Sequence, residues 1–248
     1  MTTSSTGALG SAIAGPDNRP QPAPTTRFRR RSSAVALMLA PWGFVVINAM
    51  YAWMTRSGGD DSTGAHTLAL FGAHPQQLRL IASLGMLACL LLVPGLLAAM
   101  KLLRRDAARL SLVAGVLMIA GYICYLPILS SNFFVLAMVQ RGGPMADYAA
   151  VIDRGSADPG GLWVFVLFGL GNLIGTILLG IALLRSPVVP RWAGWAVMAW
   201  PPLHIAGLVL GSEWFEVAGG ILQGLGLVMV ARAVLRTPDS TWDPQPAL

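Results

Sequence analysis

Apolar residues run along this chain in six long stretches that are separated by short polar segments. The stretches cover residues 34–55, 78–100, 110–130, 162–184, 192–211 and 216–235. Each approaches the ~20 residues that an α-helix needs to cross the hydrocarbon core of a bilayer. A segment in lipid must satisfy its own backbone polar groups, so each stretch is predicted to be helical. The pattern therefore predicts an all-α polytopic bundle of six transmembrane helices.

The flanking segments have a different composition. Residues 1–33 are rich in Ser, Thr, Pro and Gly and end in a basic run, which predicts a disordered cytoplasmic segment. Residues 34–236 then form the membrane domain, and residues 237–248 form a cytoplasmic tail. The first apolar stretch is longer than the roughly 7–15 residues of a signal peptide, so it is predicted to remain as the first helix.

Two connections are long, residues 56–77 and 131–161. We predict that the second connection prolongs the third helix and then contains an interfacial amphipathic helix. Because the other connections are short, we expect functional residues in the half of the membrane that faces these two long connections.

Composition and charge explain the environment of the chain. Hydrophobic residues make up 55% of it and charged residues only 11%, too few to cover the surface of a soluble domain. With the N-terminus in the cytoplasm, 13 of the 17 Lys and Arg residues lie on the inner side, which predicts an N-in, C-in orientation. The basic residues that give the chain its net charge of +6 lie beside the apolar stretches. We therefore expect lipid as a partner and no nucleic acid. The predicted location is the cell membrane.

Polar side chains inside the apolar stretches are costly in lipid and are therefore functional candidates. They are Asn48, Asn172, His204, Glu216 and Gln223. At about 1.5 Å per helical residue, they gather in the middle and the outer half of the membrane, with Glu216 at the outer edge. The alternative for each is an interhelical hydrogen bond without a further role.

Two acidic residues and one histidine are candidate catalytic groups. Glu213 and Glu216 are three residues apart, and one carboxyl of such a pair can become a proton donor. The alternative is two solvated carboxylates at a helix N-terminus. His204 follows Pro201 and Pro202, which predict a kink and a small polar cavity in the fifth transmembrane helix. A hydrogen bond from His204 to a neighbouring helix is the alternative.

No pattern predicts a metal or a cofactor. His66 and His74 lie near Asp60 and Asp61, but their spacing matches no metal-binding motif, and we expect solvated loop residues. The stripes of small residues in the fourth and sixth helices suit either self-association or packing within one chain.

Aromatic residues lie near both membrane faces, and together with a carboxylic acid they suit the protonation of an isoprenoid and the stabilisation of the resulting cation. They are Trp42, Tyr51, Trp53, Tyr122, Tyr125, Trp163, Phe168, Trp195, Trp200 and Trp214. We take Trp200, Trp214 and Tyr125 as candidate substrate-binding residues, together with Asn48, Asn172 and Gln223.

In size, helix number and the position of Glu213 and Glu216 near aromatic residues, the chain resembles the small membrane-bound terpene cyclases of bacterial and fungal pathways. This resemblance implies an enzyme that protonates and cyclises an apolar isoprenoid-type substrate. The Ala-, Gly- and Arg-rich character is also similar to six-helix actinobacterial membrane proteins, for which resemblance implies no activity. The alternative function is a small transporter, an export or immunity accessory protein, or a subunit of a membrane complex.

Overall fold

The computed structural model describes residues 24–242 and, within them, contains only helices. The helices are α1 (Pro24–Thr55), α2 (Gly64–Ala73), α3 (Pro75–Leu103), α4 (Ala108–Arg141), α5 (Met145–Ser156), α6 (Pro159–Arg185), α7 (Arg191–Met198), α8 (Trp200–Leu210), α9 (Trp214–Arg236) and α10 (Asp239–Trp242). Six segments are long and apolar enough to cross a membrane: α1, α3, α4, α6, α7 with α8, and α9. The predicted all-α bundle is confirmed, and the chain is a multi-pass membrane protein.

The six spans form a closed ring. Each span packs against the next in the order α1, α3, α4, α6, α7 with α8, and α9, and α9 returns to α1. Buried Leu, Met and Val side chains fill the centre, whereas large apolar side chains such as Val209 remain exposed around the outside. Exposed apolar side chains on a spanning helix suit contact with lipid tails.

One end of the bundle, which we call the termini end, holds the start of α1 and the short helix α10. Arg30 of α1 is 7% exposed and donates hydrogen bonds to Asp239 Oδ1 at 2.9 Å and to the Val234 carbonyl at 3.0 Å. These contacts fix α1 well before Ala34. The prediction of disorder was therefore wrong for residues 24–33, because a buried arginine ties them to the C-terminal end of α9. Residues 1–23 and 243–248 lie outside the described residues.

The opposite end, which we call the cap end, carries α2 and α5. As predicted, α4 continues through the apolar residues after Ser130, and a separate helix α5 follows. Helix α2 was not predicted. It packs closely on α5: the Gly64 amide donates to Asp153 Oδ1 at 2.6 Å, and a Cβ at Gly64 would lie 2.3 Å from the Ala149 carbonyl oxygen. Only glycine fits that approach.

The fifth span is broken as Pro201 and Pro202 predict. Helix α7 ends at Met198, and α8 begins at Trp200. The two prolines lack an N–H group, so the helical hydrogen bonds that they would donate are missing. The break brings Trp200 against α9, where a Cβ at Gly219 would lie 3.1 Å from the Trp200 Cα.

Candidate functional site

Three spans meet at the carboxyl group of Glu216. His204 Nδ1 of α8 makes a close hydrogen bond with Glu216 Oε2, and Asn48 Nδ2 of α1 donates to Glu216 Oε1 at 3.2 Å. The Glu216 side chain is 17% exposed and the His204 side chain 26% exposed. A carboxyl group that approaches lipid is therefore satisfied on both oxygens by side chains from two other helices.

The depth of this cluster follows from the pairing of α1 with α9. Arg30 contacts Val234 at the termini end, and Asn48 lies 18 residues further along α1, about 27 Å away. Helix α1 then continues beyond Asn48 to Thr55, for about 10 Å. Helix α1 thus extends beyond the level of Glu216, which itself lies in the first turn of α9.

Glu216 lines a cavity of about 40 Å³ inside the bundle. The lining residues are Phe44, Asn48, Tyr122, Tyr125, Phe168, Asn172, Trp200, Glu216, Gly220 and Gln223. Aromatic rings form much of the wall: Tyr125 and Phe168 are stacked with centroids 4.2 Å apart, and Phe44 lies 5.0 Å from Tyr122. The cavity therefore combines one carboxyl group and three amide side chains with aromatic faces.

One amide oxygen in this lining is unused. Asn172 is 1% exposed, and its Nδ2 donates to the Phe168 carbonyl at 2.9 Å. Its Oδ1 has no hydrogen-bond partner among residues 24–242. A buried acceptor without a partner typically costs about 1–3 kcal/mol, so it indicates a site where a donor can bind.

Close helix packing surrounds Asn172. A Cβ at Gly171 would lie 2.6 Å from the Leu117 carbonyl oxygen, and a Cβ at Gly121 would lie 3.1 Å from Asn172 Nδ2. Both glycines let α4 and α6 approach each other next to the cavity. Helix α6 is the fourth predicted transmembrane helix, and its stripe of small residues therefore serves packing within the chain. Gln223 of α9 reaches the same helix, since its Nε2 contacts Thr176 Oγ1 at 3.4 Å.

The cavity brings together six of the sequence-predicted site residues, namely Asn48, Tyr125, Asn172, Trp200, Glu216 and Gln223. His204 contacts the site through Glu216 and stacks on Trp200 with centroids 5.1 Å apart. Trp214 does not line the cavity and is 49% exposed.

Glu213 also stays outside the cavity lining. It is half-buried just before α9. Burial raises the pKa of its carboxyl group, and the negative charges of Glu216 and Asp61 add to that increase, although His204 opposes it. Within the described part of the chain, no hydrogen bond joins Glu213 to Glu216, so the two do not form a directly bonded carboxylate pair.

Four lining residues were not among the predicted site residues: Phe44, Tyr122, Phe168 and Gly220. Helical spacing is the signal that points to three of them. Phe44 lies four residues before Asn48, Phe168 lies four residues before Asn172, and Tyr122 lies three residues before Tyr125. Residues at these separations share a helix face, so each candidate brings its neighbour into the cavity.

The loop histidines belong to a separate, local cluster. Asp60 Oδ1 contacts His66 Nδ1 at 2.7 Å and accepts from the Ser62 amide at 2.9 Å. Hydrogen bonds from Ser62, followed by the His66 contact, lower the pKa of Asp60 to about 2. Across residues 24–242, no group of three or more His, Cys, Asp or Glu side chains is arranged to hold a metal ion.

Residues 36–210 match the model of a family described as Domain of unknown function (DUF4386). The chain belongs to this family. Neither a curated protein nor a solved structure matches the chain.

The DUF4386 match contains some residues of the site and leaves others outside. It includes α1 from Ala36 onward and continues through α8, and so contains Asn48, Tyr125, Asn172, Trp200 and His204. Helix α9, which supplies the carboxyl group, follows the matched residues. The matched residues thus include most of the cavity wall, but the family description assigns no chemistry to them.

Proposed function

We propose that the protein is a small-solute transporter that binds an organic cation with an ammonium group in the cavity beside Glu216. The observation that supports this proposal is the combination of a carboxyl group, an unused amide oxygen and aromatic faces around one small cavity in the membrane.

The chemistry of an ammonium group suits each of these partners. It carries only hydrogen-bond donors, and each carboxylate oxygen of Glu216 has a lone pair beyond the one used by Asn48 or His204. The free Oδ1 of Asn172 provides another acceptor. The faces of Trp200 and Tyr125 can stabilise the charge through cation–π interactions. A cation in low dielectric needs such a counter-charge.

The volume limits the solute. A buried site needs ~10–15 Å³ for one water. The cavity of about 40 Å³ can therefore hold only a few non-hydrogen atoms, such as those of methylammonium.

His204 gives the site a means of release. The close contact between His204 Nδ1 and Glu216 Oε2 requires a proton between the two atoms, because two lone pairs alone would repel each other. When Glu216 takes up a proton, the site loses the negative charge that holds the cation. Proton uptake and cation binding then exclude each other, as in an exchanger of protons for a small amine.

The test uses the full-length protein in proteoliposomes, with labelled methylammonium as the probe. We expect uptake driven by an opposing proton gradient, and we expect Glu216→Gln to abolish it. Glu213→Gln is the matched control, because this neighbouring carboxyl group does not line the cavity, and it should retain uptake. Equal uptake by wild type and Glu216→Gln would refute the proposal.

The second candidate is the enzyme that protonates and cyclises an isoprenoid-type substrate. An apolar groove of about 380 Å³ between α4, α5 and α6 supports it. The groove includes Ile128 and Phe165, each one helical turn from the stacked pair Tyr125 and Phe168 that lines the polar cavity. An apolar chain in this groove would meet Glu216 only after the stacked rings separate, because the polar cavity is too small to enclose it.

Product analysis distinguishes the two candidates. Cells that express the protein with a supply of prenylated precursors are compared with cells that express a Glu213→Gln, Glu216→Gln double variant. A cyclised product that is lost in the double variant would favour the enzyme. Methylammonium uptake without any such product would favour the transporter.

A further inference from the structure

A second cavity lies at the termini end of the bundle, far from Glu216. Its volume is about 240 Å³, and it lies between the end of α3, the turn to α4, the connection from α6 to α7, and α10. Its polar and aromatic lining comes from Lys101, Arg104, Arg105, Thr237, Thr241 and Trp242. We call it the basic cavity.

The charged side chains that line the basic cavity are cationic. Three such side chains line it, and among residues 24–242 no acidic side chain does. Two nearby carboxyl groups among residues 24–242 have other partners and do not line the cavity: Asp239 pairs with Arg27 and Arg30, and Asp106 accepts from Ser186 Oγ at 2.5 Å. Arg104 and Arg105 are exposed and make no ion pair within residues 24–242. Two guanidinium groups thus remain available to an anion.

The basic cavity also lies where the apolar spans of two helices end. The spans of α3 and α9 end at Leu103 and Arg236, beside the lining residues of the two helices. Trp242 is buried, and Lys101 Nζ lies 4.9 Å from the centroid of its ring. Tryptophan is typical of the interface between acyl chains and headgroups. Apolar wall residues such as Leu102 and Val188 continue towards the lipid.

We propose that the basic cavity binds the phosphate group of an anionic phospholipid from the adjacent leaflet. Arg104 and Arg105 contact the phosphate oxygens, since a guanidinium group matches phosphate with two parallel hydrogen bonds. The hydroxyl group of Thr241 donates to a remaining phosphate oxygen, whereas that of Thr237 already donates to the Ala233 carbonyl at 2.9 Å. Cytoplasmic arginines are needed to orient a membrane protein. Orientation alone, however, does not require a concave site with hydroxyl groups and a buried tryptophan.

The experiment measures the binding of short-chain phosphatidylglycerol and phosphatidylcholine to the full-length protein in neutral detergent. We expect tighter binding of phosphatidylglycerol. Each juxtamembrane cation contributes about fivefold in affinity, so the Arg104→Gln, Arg105→Gln double variant should bind it roughly 25-fold more weakly. The matched control is Arg109→Gln with Arg191→Gln, two exposed arginines near the same end that do not line the cavity. This control should bind like the wild type.

A phosphate group at this site could belong to a lipid or to a soluble compound, and competition with inorganic phosphate and pyrophosphate distinguishes the two. Weak competition by both anions supports a lipid ligand, because the lipid also gains contacts with the apolar wall. If pyrophosphate instead binds more tightly than phosphatidylglycerol and depends on the same two arginines, the ligand is a soluble phosphate compound and the lipid assignment is overturned. Equal phosphatidylglycerol binding by the double variant and the control would overturn the site itself. A thermal melt of each variant confirms that it is folded.

Discussion

At the scale of single residues, the polar groups of the membrane domain satisfy each other across large sequence separations. Asn48 is 168 residues from Glu216, and His204 is 12 residues from it. Each of the three alone would be costly in lipid. Together they hold a carboxyl group at the wall of the cavity that Asn172, with its free Oδ1, also lines.

Glu213 should give stability a pH dependence. Burial and nearby negative charge raise the pKa of this carboxyl group above its unfolded value. Its ionisation therefore opposes folding. The contribution of Glu213 to the free energy of unfolding is fully present below the ordinary carboxyl pKa and is lost as the pH rises through the raised pKa. We expect Glu213→Gln to flatten this decrease in thermal unfolding measured in detergent from acidic to neutral pH.

The control for this measurement is Asp147→Asn, which changes an exposed carboxyl group on the cap helix α5. It should leave the decrease in place. A Glu213→Gln profile with the wild-type slope would show that another group causes the pH dependence.

At the scale of elements, glycines set how closely α4 and α6 pack. Gly171 and Gly175 of α6 face the backbone of α4, where a Cβ would lie 2.6 Å from the Leu117 carbonyl oxygen and 3.1 Å from the Ala114 carbonyl oxygen, respectively. Small residues permit this approach in lipid, where dispersion contacts replace the hydrophobic effect as the main attraction between helices.

Gly171→Ala should force α4 and α6 apart. Overpacking of this kind costs about 1–3 kcal/mol, and we expect a lower unfolding temperature and weaker methylammonium binding, because Asn172 moves with α6. The matched control is Gly169→Ala in the same helix, where nothing lies within 4 Å of an added Cβ. Equal unfolding temperatures for the two variants would contradict the close packing of α4 on α6.

Arg30 joins α1 to the end of α9. Its guanidinium group donates to the Val234 and Leu235 carbonyls at 3.0 Å and 2.5 Å, in the last turn of α9, where carbonyls lack the usual helical partners. The Val234 carbonyl also accepts from the Thr237 amide at 3.3 Å. Hydrogen bonds from a charged donor contribute about 1.5–3 kcal/mol each, so Arg30→Ala should lower the free energy of unfolding by about 3 kcal/mol. Urea unfolding in mixed micelles measures this.

Arg31→Ala is the control, since Arg31 is the exposed neighbour of Arg30 in the same helix. A surface substitution usually changes stability by less than about 0.5 kcal/mol. If both variants lose a similar amount of unfolding free energy, the positive charge of this segment contributes to stability and the buried contact of Arg30 does not.

At the scale of the whole molecule, the ring of spans places α1 and α10 at one end and the cap helices α2 and α5 at the other. The basic residues predict that the termini end faces the cytoplasm. In that orientation the basic cavity would face the inner leaflet, and Glu216, in the first turn of α9, would lie towards the outer leaflet.

Cysteine labelling tests this orientation. Cys89 and Cys124 are buried, so the wild type should react slowly with a membrane-impermeant maleimide. In intact cells we expect labelling of Ser62→Cys at the cap end and none of Ala108→Cys, which becomes labelled after lysis. The reverse pattern would place the termini end outside. We also expect topology to be disturbed when the charges of Arg104, Arg105 and Arg109 are reversed.

The sequence by itself determined the six spans, the broken fifth span and the polar residues of interest. These follow from local physics: a bilayer admits only long apolar helices, and prolines remove backbone donors wherever the helix lies. The separate helix α5 was predicted from a local pattern as well.

Only the tertiary structure decided which polar residues meet. Nothing in the chain near Asn48 indicates Glu216 as its partner, because their contact depends on how α1 lies along α9. The early start of α1 likewise depends on Arg30 reaching Asp239 and two carbonyls of α9. The hydropathy of a segment predicts whether its helix lies in lipid. The site, in contrast, is formed by side chains from five helices, and the close contacts between neighbouring spans set how these helices are rotated relative to each other.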